Sequence, residues 1–225
     1  MKALAVVPWR AGDKYRVQNF HFVTTHLDAC GVDWTTADAD PAQPFSRSAT
    51  KNLGAKLAEK DGADVVIFHD ADMLVPCDAY QTMAERCVAG NNLIVGHTQY
   101  RPLDFRITAE VLKGKRADPF QAPAVQVLSG WCLGGVIAIT VDNFFTVGGF
   151  DERFNGWGCE DTAFAHSCNV VLNVLERTEN RSVHLWHPHA APKANPQALQ
   201  ANTRLLTRYT SCATIEELRE VQSTP

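Results

Sequence analysis

The chain has 225 residues, 45% of them hydrophobic and 20% charged, and a formal net charge of −4 at pH 7. That length suits one domain with a sizeable core, and the composition excludes disordered, collagenous and coiled-coil chains. The mild acidity excludes a general attraction to nucleic acid or anionic lipid. No apolar run approaches the roughly 18–20 residues of a membrane span, and the opening segment Met1 to Pro8 reads as a strand, not a signal segment. Seven cysteines, at positions 30, 77, 87, 132, 159, 168 and 212, are odd in number and include no CxxC pair. The expectation is a reduced, cytoplasmic chain whose thiols mostly pack as small apolar side chains.

In chain order, residues 4–7 read as the first strand. Residues 14–29 read as a helix with Val17, Phe20, Thr24 and Leu27 on one stripe. Residues 32–36 form a strand. Ser46 is the expected N-cap of a helix over 47–60, with Ala49, Leu53 and Leu57 on one face. Val65, Val66, Ile67 and Phe68 are a continuous apolar run, as in a central strand buried on both faces. A helix over 78–89 and a strand over 93–96 follow. This β-α-β-α-β-α-β order predicts an α/β fold with a mostly parallel central sheet flanked by helices. Residues 97–126 carry polar and proline punctuation around one short helix near 107–113, which predicts a long surface segment. A strand returns over 133–139. A helix near 141–147 stops at Gly148-Gly149. A helix over 160–172, a strand over 182–185 and two amphipathic helices within 196–222 complete the chain, with no linker dividing it into two domains.

Several segments carry candidate chemistry. Asp70-Ala71-Asp72 places two carboxylates just past a buried strand, the edge at which open α/β sheets bind ligands. Such a pair can hold a divalent cation that neutralises phosphate charge. Asp38-Ala39-Asp40 has the same spacing but lies in a loop, where local Asx turns account for it. In Gly156-Trp157-Gly158-Cys159-Glu160-Asp161 the acids could simply complement a helix N-terminus. Alternatively, a glycine-flanked aromatic lid precedes a general base. Glu160 and Asp161, adjacent on a helix, point about 100° apart, so at most one faces a given reacting atom. His184, His187 and His189 cluster beside a strand end, as metal ligands or as an exposed polar loop. Pro8-Trp9-Arg10 follows the first strand, and Phe45-Ser46-Arg47 leads into the helix holding Lys51 and Asn52. Their guanidinium groups suit phosphate and their aromatics suit a base, although each taken singly reads as surface sooner than as site.

As an ordered set, Pro8-Trp9-Arg10, Phe45-Ser46-Arg47 with Asn52, Asp70-Ala71-Asp72, Gly134-Gly135, Trp157-Gly158-Cys159-Glu160-Asp161 and His184-Leu185-Trp186-His187 resemble the GT-A glycosyltransferases. The resemblance is greatest to the β-1,4-galactosyltransferase family and its galactosyltransferase C-terminal domain. It covers about residues 3–190 and extends to small soluble glycosyltransferases of bacteria and their phages. It implies a single GT-A (Rossmann-like) domain with a nucleotide-sugar-binding half at 1–96, an acceptor and catalytic half at 97–190 and a helical tail at 191–225. It further implies a UDP-sugar donor contacted by Pro8, Arg10, Phe45, Arg47, Asn52, Asp70, Ala71, Gly134, Gly135 and Trp157. A metal would sit on Asp72, His184 and His187. Asp161 would be the catalytic base and Glu160 would hold the acceptor, giving an inverting single displacement of a hexose onto a hydroxyl. Two imidazoles and a carboxylate favour Mn²⁺ or another transition metal over Mg²⁺.

The sequence departs from the family in places. Cys159 stands for the family's second glycine, Thr162 for a further aspartate, and His184 for a methionine of the vertebrate enzymes. The family's membrane anchor has no counterpart, in keeping with the cytoplasmic expectation. The acceptor stays open between a glycan, a protein and a hydroxymethylated DNA base. Arg101, Arg106, Lys113, Lys115 and Arg116 form a basic stretch that would suit a polyanion or would simply be solvated. Three other functions compete. Sugar-nucleotide synthesis needs a glycine-rich phosphate loop where this chain has Pro8-Trp9-Arg10-Ala11-Gly12. A zinc hydrolase would use His184, His187 and His189 with Cys168 or Cys159. A non-catalytic carbohydrate-binding or nucleotide-sugar-binding descendant of the fold is the third.

Overall fold

The computed structural model describes residues 1–90, 92–130, 132–156, 158–188 and 196–224. The strands are β1 (Ala3–Pro8), β2 (Trp34–Ala37), β3 (Val65–His69), β4 (Met73–Leu74), β5 (Leu93–Val95), β6 (Gln99–Pro102), β7 (Leu128–Ser129), β8 (Val136–Thr140), β9 (Leu175–Arg177) and β10 (Arg181–His184). The helices are α1 (Lys14–Ala29), α2 (Arg47–Lys60), α3 (Cys77–Gly90), α4 (Phe105–Leu112), α5 (Val141–Val147), α6 (Glu160–Leu172), α7 (Pro196–Thr210) and α8 (Ile215–Ser223).

The main sheet has the order β2-β1-β3-β8-β5-β9. Neighbouring pairs are parallel except where β8 runs antiparallel between β3 and β5. The mostly parallel expectation therefore holds with one reversed strand. The reversal matters for the site. It sets His69 opposite Val136 and so brings Gly134-Gly135 beside the C-terminal end of β3. Strand alternation feeds both faces of the sheet. Val65 and Ile67 join one apolar cluster with Ala5 and Val7, while Val66 and Phe68 join the other with Leu4 and Val6. Each fully buried Val, Ile or Phe among them contributes about 1.5–3 kcal/mol.

Two helix faces differ from the expected stripes. On α1, Asp13 caps the N-terminus by accepting from the Tyr15 and Arg16 amides, and Asn19, Val23, Thr24 and Leu27 are buried. Phe20 instead stacks on Trp9 at 4.2 Å. Ser46 caps α2 as expected, but the buried face is Ser48, Thr50, Lys51, Gly54, Ala55 and Ala58. The cause is a close approach to β1: a Cβ on Gly54 would lie 2.3 Å from Val6 Cγ1. Small residues must therefore face the sheet, and Leu53 and Leu57 pack at the margin of the core.

The segment 97–126 is not a long surface loop. Residues 99–102 form β6 of a second sheet, β4-β10-β6-β7, and α4 buries Ile107, Thr108 and Val111. The cysteines also depart from expectation, because Cys30 and Cys77 form a disulfide with Cα atoms 5.0 Å apart. Cys87, Cys168 and Cys212 are free and buried, as apolar packers should be. The tail packs on α6 through Phe154, Ala163, Tyr209, Cys212 and Leu218. Among the described residues, no helix is long and apolar enough to cross a membrane.

Candidate active site

The site begins where β3 ends. The chain turns through residues 70–73, with the Met73 amide donating to Asp70 O (3.2 Å) and the Asp70 amide donating to Gly135 O (2.7 Å). The Leu185 amide donates to Asp72 O (2.8 Å), which ties this turn to the end of β10. As a result Asp72 meets two imidazoles: His187 Nε2 at 3.1 Å and His184 Nε2 at 3.7 Å. One ligand atom from each of the three lies within 4.8 Å of the others. Behind His187, its Nδ1 lies 2.9 Å from Pro188 O, to which it can donate, and 3.0 Å from the Arg16 guanidinium; a bond donated to that carbonyl orients the ring. Burial opposes the Asp72 charge, but His184, the His187 hydrogen bond and Arg47 outweigh it and hold the carboxyl well below its usual range. Burial opposes the His187 cation too, yet Asp72 raises its pKa overall. Asp70 is pushed up to about 6 by burial, against the pull of Lys51 and Arg47.

A second group of carboxylates comes from the first turn of α6. Glu160 is 4% exposed and lies 3.5 Å from the Arg47 guanidinium. Asp161 Oδ1 lies 2.5 Å from Lys51 Nζ. Gly134 leaves room for this aspartate, since a Cβ there would sit 2.0 Å from Asp161 Oδ2. Gly135, at φ +90°, passes Met73 so closely that a Cβ would lie 2.9 Å from its methyl carbon. The expected glycine pair thus works by giving the carboxylate turn and α6 space to approach. Arg47 unites the two groups: Asp70, Glu160, Asp161 and Asp72 together overcome its burial and raise its pKa.

The other expected donor residues are placed as follows. Pro8 ends β1 opposite Ala37. Arg10 is held by Asp38 at 2.7 and 2.8 Å and by the carbonyls of Gln43 and Asp40, each at 2.6 Å. Its guanidinium lies 5.5 Å from the Phe45 ring centroid. The Asp38 loop is therefore an anchor for Arg10, while Asp40 makes the expected local turn to the Ala42 amide. Asn52 spends its amide on both backbone groups of Phe150 (2.9 Å each) and on Glu152, so in this structure it fixes the turn at 150. Ala71 lies within the carboxylate turn. Trp157 and His189 lie outside the described residues.

The basic stretch is dispersed. Arg101 donates to the carbonyls of Phe120 and Ala122, and Arg116 pairs with Glu110 at 2.7 Å. Arg106, Lys113 and Lys115 are exposed, and nothing here favours a DNA acceptor. Cys168, a suggested zinc ligand, is buried in the core away from the histidines.

Two residues escaped the sequence reading. Lys51 sits on an amphipathic helix, where a lysine normally marks the solvent side. Asn202, in the tail, is buried. It accepts from the Asn155 amide (3.1 Å) and donates to the carbonyls of Asn155 and Gly158 (2.9 and 3.1 Å). It thereby holds the loop that leads into Glu160. No local pattern marks either residue.

Comparison with known proteins agrees with this fold. A family model described as the N-terminal domain of galactosyltransferase matches residues 120–182. β-1,4-Galactosyltransferase 6 of Rattus norvegicus is 33% identical over 120 residues, covering 53% of this chain and 25% of the relative. The chain thus spans about a quarter of that relative's length. Among solved structures, a mutant of Drosophila β-1,4-galactosyltransferase 7 in complex with manganese, UDP-Gal and xylobiose superposes with a TM-score of 0.56 at 18% identity, covering 83% of this chain and 71% of that one. S. aureus TarS in complex with UDP-GlcNAc gives a TM-score of 0.57 at 13% identity, covering 99% and 71%. Fold and sequence together give this chain a GT-A fold and a likeness to the β-1,4-galactosyltransferases.

Proposed function

We propose that the chain is a metal-dependent, inverting glycosyltransferase that moves a hexose from a UDP-sugar to an acceptor hydroxyl. The observation that carries this reading is one electrostatic unit. In it Asp72, which meets His184 and His187, and the Glu160-Asp161 pair both act on the Arg47 guanidinium, with Glu160 3.5 Å away. The manganese and UDP-Gal of the Drosophila structure support it.

Asp72, His184 and His187 form a mixed imidazole and carboxylate set that fits Mn²⁺ or a similar divalent ion. Bound there, such an ion supplies positive charge to the diphosphate leaving group. Arg47 offers its guanidinium to the same phosphates. Asp161 accepts the proton of the acceptor hydroxyl as that oxygen attacks the anomeric carbon. The bond from that carbon to the diphosphate oxygen breaks, and the departing electron pair stays on UDP. Glu160 holds the acceptor, and Asp70 lies on the ribose side. Pro8, Arg10 and Phe45 border the uridine. The same donor set in a non-catalytic binder would take up UDP without turnover, so binding and release must both be measured.

The test is calorimetric titration of UDP with and without Mn²⁺, followed by UDP release across a panel of UDP-sugars. The wild type should bind UDP only with the metal, and Asp72→Ala should lose that binding. Asp161→Asn should keep it while turnover falls by about 100-fold or more. Metal-independent UDP binding, or none, in the wild type overturns the reading.

A further inference from the structure

We propose that Lys51 is a positioning residue for Asp161, a buried ammonium that fixes the carboxylate's orientation and keeps it ionised. This inference rests on the assignment of Asp161 as the base.

Lysine is almost never fully buried unless it is paired, and the Lys51 side chain is 2% exposed. It projects from the face of α2 that is otherwise made of small residues. Its Nζ lies 2.5 Å from Asp161 Oδ1 and 4.7 Å from the Phe150 ring centroid. Phe150 is itself immobilised, clamped by Asn52 on its backbone and stacked on Phe164 at 4.1 Å. The ammonium therefore has a rigid floor. Asp161 retains 21% side-chain exposure where Lys51 has almost none. A ligand can reach the carboxylate but not the ammonium, so Lys51 acts through Asp161.

The charges around Asp161 show what Lys51 offsets. Lys51 and Arg47 face it from α2, Asp70 from the turn after β3, and Cys132 from the segment before Gly134. Glu160 precedes it on its own helix. Without Lys51, Asp161 would share a partly desolvated pocket with Asp70 and Glu160 and only one cation. Burial works against the Lys51 charge, but Asp161, Asp70 and Glu160 outweigh it and raise its pKa. The lysine thus stays protonated and does not accept the proton that Asp161 takes up.

The test replaces Lys51 by the neutral, similarly long methionine and follows the Asp161 carboxyl carbon by ¹³C NMR. The resonance is assigned by its loss in Asp161→Asn. An opposite charge at this range favours the ionised carboxylate, so Lys51→Met should shift this resonance and its dependence on pH. The acidic limb of kcat/KM, measured with saturating Mn²⁺, should move up in parallel, while the donor KM on the plateau stays unchanged. A merely structural lysine would change the melting temperature and leave both profiles in place, and that result overturns the proposal. If Lys51→Met does not fold, hydrogen exchange of the Lys51 ammonium is compared between the wild type and Asp161→Asn. Exchange should quicken by about tenfold or more when the pair is lost, and equal rates overturn the proposal. An active wild type with unmoved profiles rejects Lys51 alone. An Asp161 resonance that moves in Lys51→Met, beside a wild type that binds no UDP, upholds the Lys51 control of Asp161 and rejects the transferase reading.

Discussion

Cys159 is held at φ 79°, in the left-handed region, and has no side-chain capping bond to offset it. The galactosyltransferases that this chain resembles carry a glycine there. An L-residue in that region costs about 1–2 kcal/mol, and part of that gain is returned when glycine adds entropy to the unfolded chain. Cys159→Gly should therefore stabilise the protein by about 0.5–1 kcal/mol, seen as a higher urea midpoint at unchanged m-value. An unchanged midpoint would show that the backbone at 159 carries no net strain. At this same scale Asp72, His184, His187, Asp161 and Arg47 stood out as candidates, because their motifs sit at strand ends and helix starts, and the structure brings Asp72 together with both histidines. Lys51 was not. Its partner lies 110 residues away, and no local pattern distinguishes a buried lysine from a solvated one.

At the scale of elements, α7 is more than a tail. Through Asn202 it satisfies backbone groups at Asn155 and Gly158, and Tyr209 of the same helix donates to Asp151 at 2.7 Å. The segment entering Glu160 and Asp161 is therefore braced by a helix that starts more than 30 residues later. Leaving buried polar backbone without partners costs about 1–3 kcal/mol. Asn202→Ala should cost about that much and speed amide hydrogen exchange at residues 155, 156 and 158. Slower turnover should follow, with metal-dependent UDP binding kept. Unaltered exchange in that loop would mean that Asn202 does not brace it. The helices were legible as units, since Ser46 and the stop at Gly148 mark their ends. Their faces were less so, because the approach of α2 to β1 at Gly54 was invisible to periodicity.

For the whole molecule, buried titratable groups set the response to acid. His97 is fully buried and donates to Gly134 O at 3.3 Å. Burial brings its pKa down to about 4. A histidine depressed in this way contributes its full stability above the unfolded value of about 6.5. As pH falls toward 4, the unfolded chain takes up protons first and that stability is lost. Between pH 7 and pH 5 the loss amounts to ~2 kcal/mol for this one group. Asp70 works in the opposite sense, because a carboxyl pushed up to about 6 favours the folded state as pH falls below that value. The clean readout is therefore a difference. Relative to wild type, His97→Gln should flatten the slope of unfolding free energy against pH by ~2 kcal/mol over that interval. Parallel slopes would mean that His97 does not carry the effect.

By itself, the sequence determined the helices, the strands β1, β2, β3, β5, β8 and β10 with their order, the both-sides-buried β3 and the succession of motifs that resemble a galactosyltransferase. Caps, glycine stops and hydrophobic periodicity act over a few residues, so they can be read locally. Tertiary structure decided the rest: the reversal of β8, the second sheet that absorbed residues 99–102, the disulfide between Cys30 and Cys77, the dispersal of the basic stretch and the burial of Lys51 against Asp161. Each of these depends on close packing and charge pairing between residues far apart in the chain. Such contacts have no local periodicity and form only when the elements meet.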